Sequence, residues 1–319
     1  MTILRNNLLT QLIKAKHNSF IKILTGIRRC GKSFLLFKLF KNRLLENDAQ
    51  ESDFVEIALD RKADIKYRNP NLLYEYIIER TKDADRKFYV LVDEIQLSYK
   101  VKSDDIDESL VPEEDREMMY TTFYDILNDL ISQPNLDVYI TGSNSKMLSK
   151  DIVTNFRDRG SEVKVYPLSF QEYLSAVQLE KADAFEEYMM YGGMPLAVLE
   201  NNEQEKRKYL QGLFTNVYIK DIVERYNLKD DNILSALVDA LSSSVGSLTN
   251  PNKLANTAGS AMGQKPSHNT IKSYLDYVED AYLFQSAKRW KVKGRKYFET
   301  LQEYYAMDLG LKKTRLTFC

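Results

Sequence analysis

The chain has 319 residues, 44% of them hydrophobic and 29% charged, with only seven prolines, which is enough apolar material for a sizeable core and excludes a disordered or collagen-like polymer. At roughly 150 residues per domain, this length implies about two domains. Forty-five Lys and Arg against 46 Asp and Glu leave a formal charge of -1, so whole-molecule charge identifies no partner and any basic surface must be local.

In the N-terminal stretch MTILRNNLLTQLIKAKHNSF charges interrupt every apolar run, so no secretory signal is expected. The apolar runs are of buried-strand length, far short of the roughly 20 residues that span a membrane. Two cysteines cannot make a disulfide framework, and the two histidines, His17 and His268, belong to no cluster with zinc-ligand spacing. A soluble, cytoplasmic protein without a membrane partner is the expectation.

Phe20–Thr25 reads as a short strand ending in Gly26, followed by a helical pattern over Ser33–Leu44. Further strands are predicted at Phe54–Leu59, Phe88–Val92, Leu136–Thr141 and Val163–Tyr166, with helices at Asn71–Thr81 and Thr121–Ile131. Strands alternating with helices predict a parallel sheet covered on both faces. The acidic run Asp104–Asp115 reads as a solvated loop. After Leu174 the pattern turns helical as far as about residue 245, interrupted by Tyr191-Gly192-Gly193-Met194-Pro195. Ser242–Asn252 reads as a joint, followed by helices at Lys253–Met262 and Ser267–Asp280 and a hairpin from Tyr282 to Phe298. Helix, helix, hairpin is the order of a winged helix.

Gly26-Ile27-Arg28-Arg29-Cys30-Gly31-Lys32-Ser33 fits G-x-x-x-x-G-K-[ST] without mismatch. Glycines let successive N–H groups point at one anion, and the following helix, entered through Phe34, adds its positive end. Lys32 is expected on the β- and γ-phosphates and Ser33 on Mg²⁺. A chance glycine turn would leave unexplained the strand before it, the helix after it and an acidic strand end downstream. Cys30, a thiol at a helix N-terminus beside basic residues, is a candidate redox switch; its plainer role is that of a small tolerated side chain.

Phe88–Val92 runs into Asp93-Glu94. Asp93 is expected to hold the Mg²⁺ shell, and Glu94 to take the proton of the attacking water. A water-activating glutamate favours a hydrolase over a small-molecule kinase. Thr141-Gly142-Ser143-Asn144 ends the next strand, where a polar side chain would lie between γ-phosphate and water; Asn144 or Ser143 fills that role, against the alternative of a plain Gly-Ser-Asn turn. Arg157 and Arg159 are candidates for an arginine supplied in cis or by a neighbouring subunit of a homo-oligomer, with an ordinary surface position as the alternative.

GIRRCGKS, LVDEIQ, ITGSNSKMLS, VYPLSFQEYL and YGGMP, continued by NVYIKDIVERYNL, the T-x-x-x-Y-L-x-Y-V-E-D run from Thr270 and YYAMDLGL, resemble the prokaryotic AAA-type ATPases of the AAA+ superfamily that carry a C-terminal domain of uncharacterised function. The resemblance covers nearly the whole chain. It implies ATP as ligand and an AAA+ core, then a winged helix, then a nuclease-like domain. The chain stops at RLTFC, just after YYAMDLGL, so the expectation is that the nuclease-like domain is missing, as in a truncated or shortened product.

The reading is therefore an α/β protein: a P-loop ATPase domain, AAA+-like, over 1–175, a helical lid or arm over 176–245, and a winged-helix-like domain over 246–319. ATP and Mg²⁺ are the expected cofactors. The alternative is a nucleotide-gated switch or DNA-binding regulator with little turnover. Lys288-Arg289-Trp290-Lys291-Val292-Lys293-Gly294-Arg295-Lys296, with six basic residues of nine, would make a basic wing turned at Lys293-Gly294. Together with Lys272 that is a DNA footprint; a solvated hairpin or a patch facing an acidic partner would carry the same charge.

Overall fold

The computed structural model describes residues 2–47, 49–103, 106–142, 156, 159–228, 231–263, 265–288 and 301–316. They form two compact units: a sheet unit, Leu4–Gly26 with Gly31–Val165, and a helical unit, Met1–Ile3, Ile27–Cys30 and Tyr166–Cys319.

The sheet unit contains β1 (Ile21–Thr25), β2 (Phe54–Ala58), β3 (Phe88–Asp93), a short antiparallel pair β4 (Val101–Lys102) and β5 (Tyr120–Thr121), β6 (Leu136–Thr141) and β7 (Gly160–Lys164). Five strands pair in the order β2-β3-β6-β1-β7, all parallel. β1, β3 and β6 are buried along their whole lengths. This is why they read in the sequence as largely apolar runs, with Lys22 and Asp137 as interior exceptions: parallel strands are covered on both faces. Val90, Val92, Val138 and Ile140 pack with Phe123, Leu127 and Phe156 in one core.

Helices close the crossovers, and their ends follow local chemistry. Asn69 caps Pro70–Arg80, its side chain accepting from the Asn71 N–H at 3.0 Å. Thr122 and Asp125 form a capping box at Phe123–Leu130, so this helix starts two residues later than the periodicity predicts. β4 and β5 bracket the acidic run that was expected to be plain loop, and 3₁₀ turns occupy Glu108–Leu110 and Glu113–Met119. The last strand of the sheet lies at Gly160–Lys164 rather than Val163–Tyr166. It is a half-exposed edge strand, and its polar start hid it from an apolar search.

At the amino end of the sheet, Lys22 on β1 pairs with Asp137 on β6, both buried. Asp137 also accepts from the Tyr139 hydroxyl at 2.9 Å and from the His17 backbone N–H at 3.1 Å. Burial pulls the Lys22 ammonium below its usual pKa, and the Asp137 carboxylate opposes that pull. Removing one partner from such a buried pair typically costs about 3–5 kcal/mol.

The helical unit runs through helices Phe170–Ala176, Lys181–Tyr191, Pro195–Leu199, Glu203–Gly212, a π-helical stretch Leu213–Ile219, Lys220–Arg225, Asn232–Ser243, Pro251–Met262 and His268–Asp280. A hairpin of β8 (Phe284–Lys288) and β9 (Gln302–Ala306) and a last helix, Leu309–Arg315, follow. The hairpin departs from the expected one: Lys288 pairs with Gln302, so the returning strand lies beyond Phe298. The expected turn at Lys293-Gly294 and the basic run 289–296 lie outside the described residues. Asp308 ties two distant motifs together, its buried carboxylate accepting from the Gly193 N–H at 2.7 Å and the Leu311 N–H at 2.9 Å.

Candidate nucleotide-binding site

β1 ends at Thr25 and the chain turns through Gly26 at φ 142°. A Cβ on Gly26 would stand 2.0 Å from the Val165 carbonyl oxygen, so only glycine fits this first position. Gly31, at φ 95°, turns the chain into a helical run over 32–45, whose Leu35 N–H bonds the Gly31 carbonyl at 2.8 Å. Lys32 is buried and its ammonium donates to the Gly26 carbonyl at 2.9 Å, closing the loop on itself. Ser33 is half-buried on the first turn and Phe34 is exposed.

The middle of the loop, Ile27–Cys30, packs within the helical unit. The Tyr218 hydroxyl donates to the Arg28 carbonyl at 2.7 Å, and burial holds that phenol well above its usual pKa, so it stays a neutral donor. The Arg28 guanidinium meets the Asp221 carboxylate at 2.9 Å, and Arg225 bonds the same carboxylate. Arg29 is exposed and left-handed at φ 64°. Cys30 is buried at 0% exposure, an environment in which thiols are inert, which favours the plainer of its two roles.

β3 delivers Asp93 and Glu94 at its carboxyl end. Asp93 is buried and accepts from the Thr141 hydroxyl at the tip of β6, while the Glu94 N–H donates to that hydroxyl oxygen at 3.1 Å. Glu94 is half-buried, left-handed at φ 54° and ψ 48°, and its side chain accepts from the Gln96 amide. Because β6 lies between β1 and β3, two strand spacings, about 10 Å, separate the strand that feeds the loop from the strand that carries the acids.

Asn144, Ser143 and Arg157 lie outside the described residues. Arg159 is exposed at the start of β7, where its carbonyl accepts from the Ile21 N–H at 2.9 Å. That is the amino end of the sheet, and the five residues of β7 put it about 16 Å from the loop end. In its own subunit Arg159 thus stands at the end of the sheet opposite the Gly26–Ser33 loop. Thr141, Tyr218 and Asp221 are the contacts that sequence reasoning passed over. The available signal for Thr141 was a lone hydroxyl ending a fully buried strand.

An all-parallel sheet, a glycine-lysine loop after β1 and an acid pair after β3 define a P-loop nucleotide-binding protein of the AAA class. Residues 18–174 match the family described as "AAA domain", and residues 182–318 match "Domain of unknown function (DUF8612)". An "Uncharacterized protein" of Haemophilus influenzae is 32% identical over 314 residues, covering 97% of this chain and 72% of that relative. "Uncharacterized protein MJ1544" of Methanocaldococcus jannaschii is 28% identical over 279 residues, 82% of this chain and 55% of that one. Among solved structures, the Aeropyrum pernix ORC1 protein in complex with DNA aligns with a TM-score of 0.36 at 11% identity, over 99% of this chain and 93% of that one. The chain belongs to the family of its Haemophilus relative, AAA-type ATPases carrying a C-terminal domain of unknown function. Among the described residues, no helix is long and apolar enough to cross a membrane.

Proposed function

We propose that the chain binds ATP with Mg²⁺ and hydrolyses the β–γ bond to ADP and phosphate. The observation that carries this reading is the arrangement within the sheet unit: Gly26 and Lys32 at the end of β1, and Asp93 with Glu94 at the end of β3, at the same end of the sheet with β6 between them. The backbone of Gly26, Ile27, Arg28, Arg29, Cys30, Gly31, Lys32, Ser33 and Phe34 would wrap the phosphates, and Lys32 would exchange the Gly26 carbonyl for a phosphate oxygen. The Ser33 hydroxyl and the Asp93 carboxylate are the hard oxygen donors that a magnesium ion takes, so this donor set fits it. When bound, the ion would neutralise charge on the phosphate oxygens. Glu94 would accept the proton of the attacking water, and Asn144 would orient that water. Arg159 would act from a neighbouring subunit, in which case phosphate release per subunit rises with protein concentration.

For the helical unit the reading remains a lid or arm over 176–245 and a winged-helix-like domain over 246–319. Its support is the order of two helices, Pro251–Met262 and His268–Asp280, followed by the β8–β9 hairpin. DNA is the proposed partner of the basic residues 288–296. Phosphate contacts make log affinity fall with log salt by about 0.9 per contacted phosphate. Replacing Lys291, Lys293 and Arg295 with alanine should flatten that slope by about three in anisotropy titrations. An unchanged slope contradicts the DNA reading, as does the absence of binding at low salt. The ATPase reading itself is tested by phosphate release with Mg·ATP, in wild type and in Glu94→Gln.

A further inference from the structure

We propose that Thr141 is a positioning residue of the hydrolytic site, a single hydroxyl that orients both Asp93 and Glu94. The inference rests on the ATPase reading above and assigns the device that keeps the two acids in separate roles.

The register between β6 and β3 runs to Ile140 opposite Val92. One residue further, the Thr141 side chain takes over the link between the strands. Its Oγ1 accepts the Glu94 N–H at 3.1 Å and donates to Asp93 Oδ1. A hydroxyl has one proton. With the Glu94 N–H directed at the oxygen, that proton is committed to the Asp93 carboxylate, as a charge-assisted bond. Thr141 is at 0% exposure and Asp93 at 4%, so water does not substitute for the hydroxyl.

Two consequences follow for the acids. Asp93 is fixed in one orientation at the strand end, ready to serve as a ligand. Glu94 stands in the left-handed region, where a residue with a Cβ is strained, and its amide is tethered from the neighbouring strand. The tether sets the direction in which the Glu94 carboxylate leaves β3, and so the angle between the metal-holding acid and the base. Valine at 141 has the same shape without the hydroxyl, and serine keeps the hydroxyl without the γ-methyl.

The test compares wild type, Thr141→Val and Thr141→Ser, with Thr141→Ala in reserve should valine fail to fold. ATP affinity is measured by calorimetry with EDTA and with Mg²⁺, and phosphate release at saturating Mg·ATP. The expected result for Thr141→Val is affinity in EDTA within about twofold of wild type, loss of most of the gain that Mg²⁺ confers, and a turnover lower by about 10–100-fold, at or below the roughly 10²–10⁴-fold that loss of the general base itself costs. Thr141→Ser should restore both quantities to within about threefold. A wild-type magnesium gain and turnover in Thr141→Val overturns the proposal. So does a serine variant as impaired as the valine one, since packing would then be the cause. Failure of the underlying reading looks different: wild type itself releases no phosphate, and Lys32→Ala binds ATP as tightly as wild type.

Discussion

Lys32 spends its ammonium on the Gly26 carbonyl at 2.9 Å, a neutral acceptor inside its own loop. A phosphate oxygen is an anionic acceptor and makes the stronger bond, so nucleotide binding draws the lysine out of this contact. Lys32→Ala removes that exchange together with the fixed charge. It should weaken ATP binding by at least about tenfold, consistent with the roughly 1.5–3 kcal/mol of a charged hydrogen bond, while leaving the sheet folded. Calorimetry checks it, and unchanged affinity would remove Lys32 from the site. At this scale the sequence was informative where a motif is local in the chain, as in the eight-residue loop after β1 and the adjacent Asp93-Glu94 after β3. It was uninformative about Thr141, whose partners are 47 and 48 positions away and are set by strand order rather than by spacing. Tyr218 was hidden for the same reason, since its bond to Arg28 spans 190 positions.

Among the elements, β1, β2, β3 and β6 were legible nearly to the residue, because mostly buried strands leave largely apolar runs, with Lys22, Glu56 and Asp137 the exceptions within them. β7 and β9 were misplaced for the converse reason: they are not buried throughout, GSEVK has a single apolar residue, and QEYYA opens on two polar ones. The junction that holds β9, the last helix and Tyr191-Gly192-Gly193 together depends on Asp308. Burial pushes its carboxyl up to about 6 from 3.8, against the hydrogen bonds from Leu311, Gly193 and Gly310 that favour the ionised form. The folded state therefore holds this proton more tightly than the unfolded state. Its contribution to stability is complete below about pH 4 and is lost as pH rises through about 6. The difference amounts to about 3 kcal/mol at about 1.4 kcal/mol per pKa unit, as an upper figure. Asparagine cannot titrate, so the stability of wild type relative to Asp308→Asn should fall between pH 4 and pH 7. Urea unfolding of both chains across that range measures it, and a pH-independent difference would contradict the assignment. Gly192 cannot be substituted freely at the same junction, since a Cβ there would stand 2.4 Å from Asp308 Oδ1 at φ 71°.

At the scale of the whole molecule, the glycine-lysine loop is one continuous segment whose ends, Gly26 and Gly31-Lys32-Ser33, belong to the sheet unit and whose middle, Ile27–Cys30, belongs to the helical unit. The eight-residue motif was legible as a glycine-lysine loop between a strand and a helix, but its division was not, because nothing in GIRRCGKS indicates that Arg28 pairs with Asp221. The central claim is that the acid pair on β3 turns a nucleotide-binding loop into a hydrolase. The measurement that bears on it most directly is phosphate release from Mg·ATP by wild type and Glu94→Gln, with ATP affinity measured on the same preparations. The account predicts steady release by wild type, release slower by about 10²–10⁴-fold in Glu94→Gln, and ATP affinity retained in the variant, as loss of a general base requires. Release by Glu94→Gln at the wild-type rate, or no release by wild type under any nucleotide and magnesium condition, would contradict it.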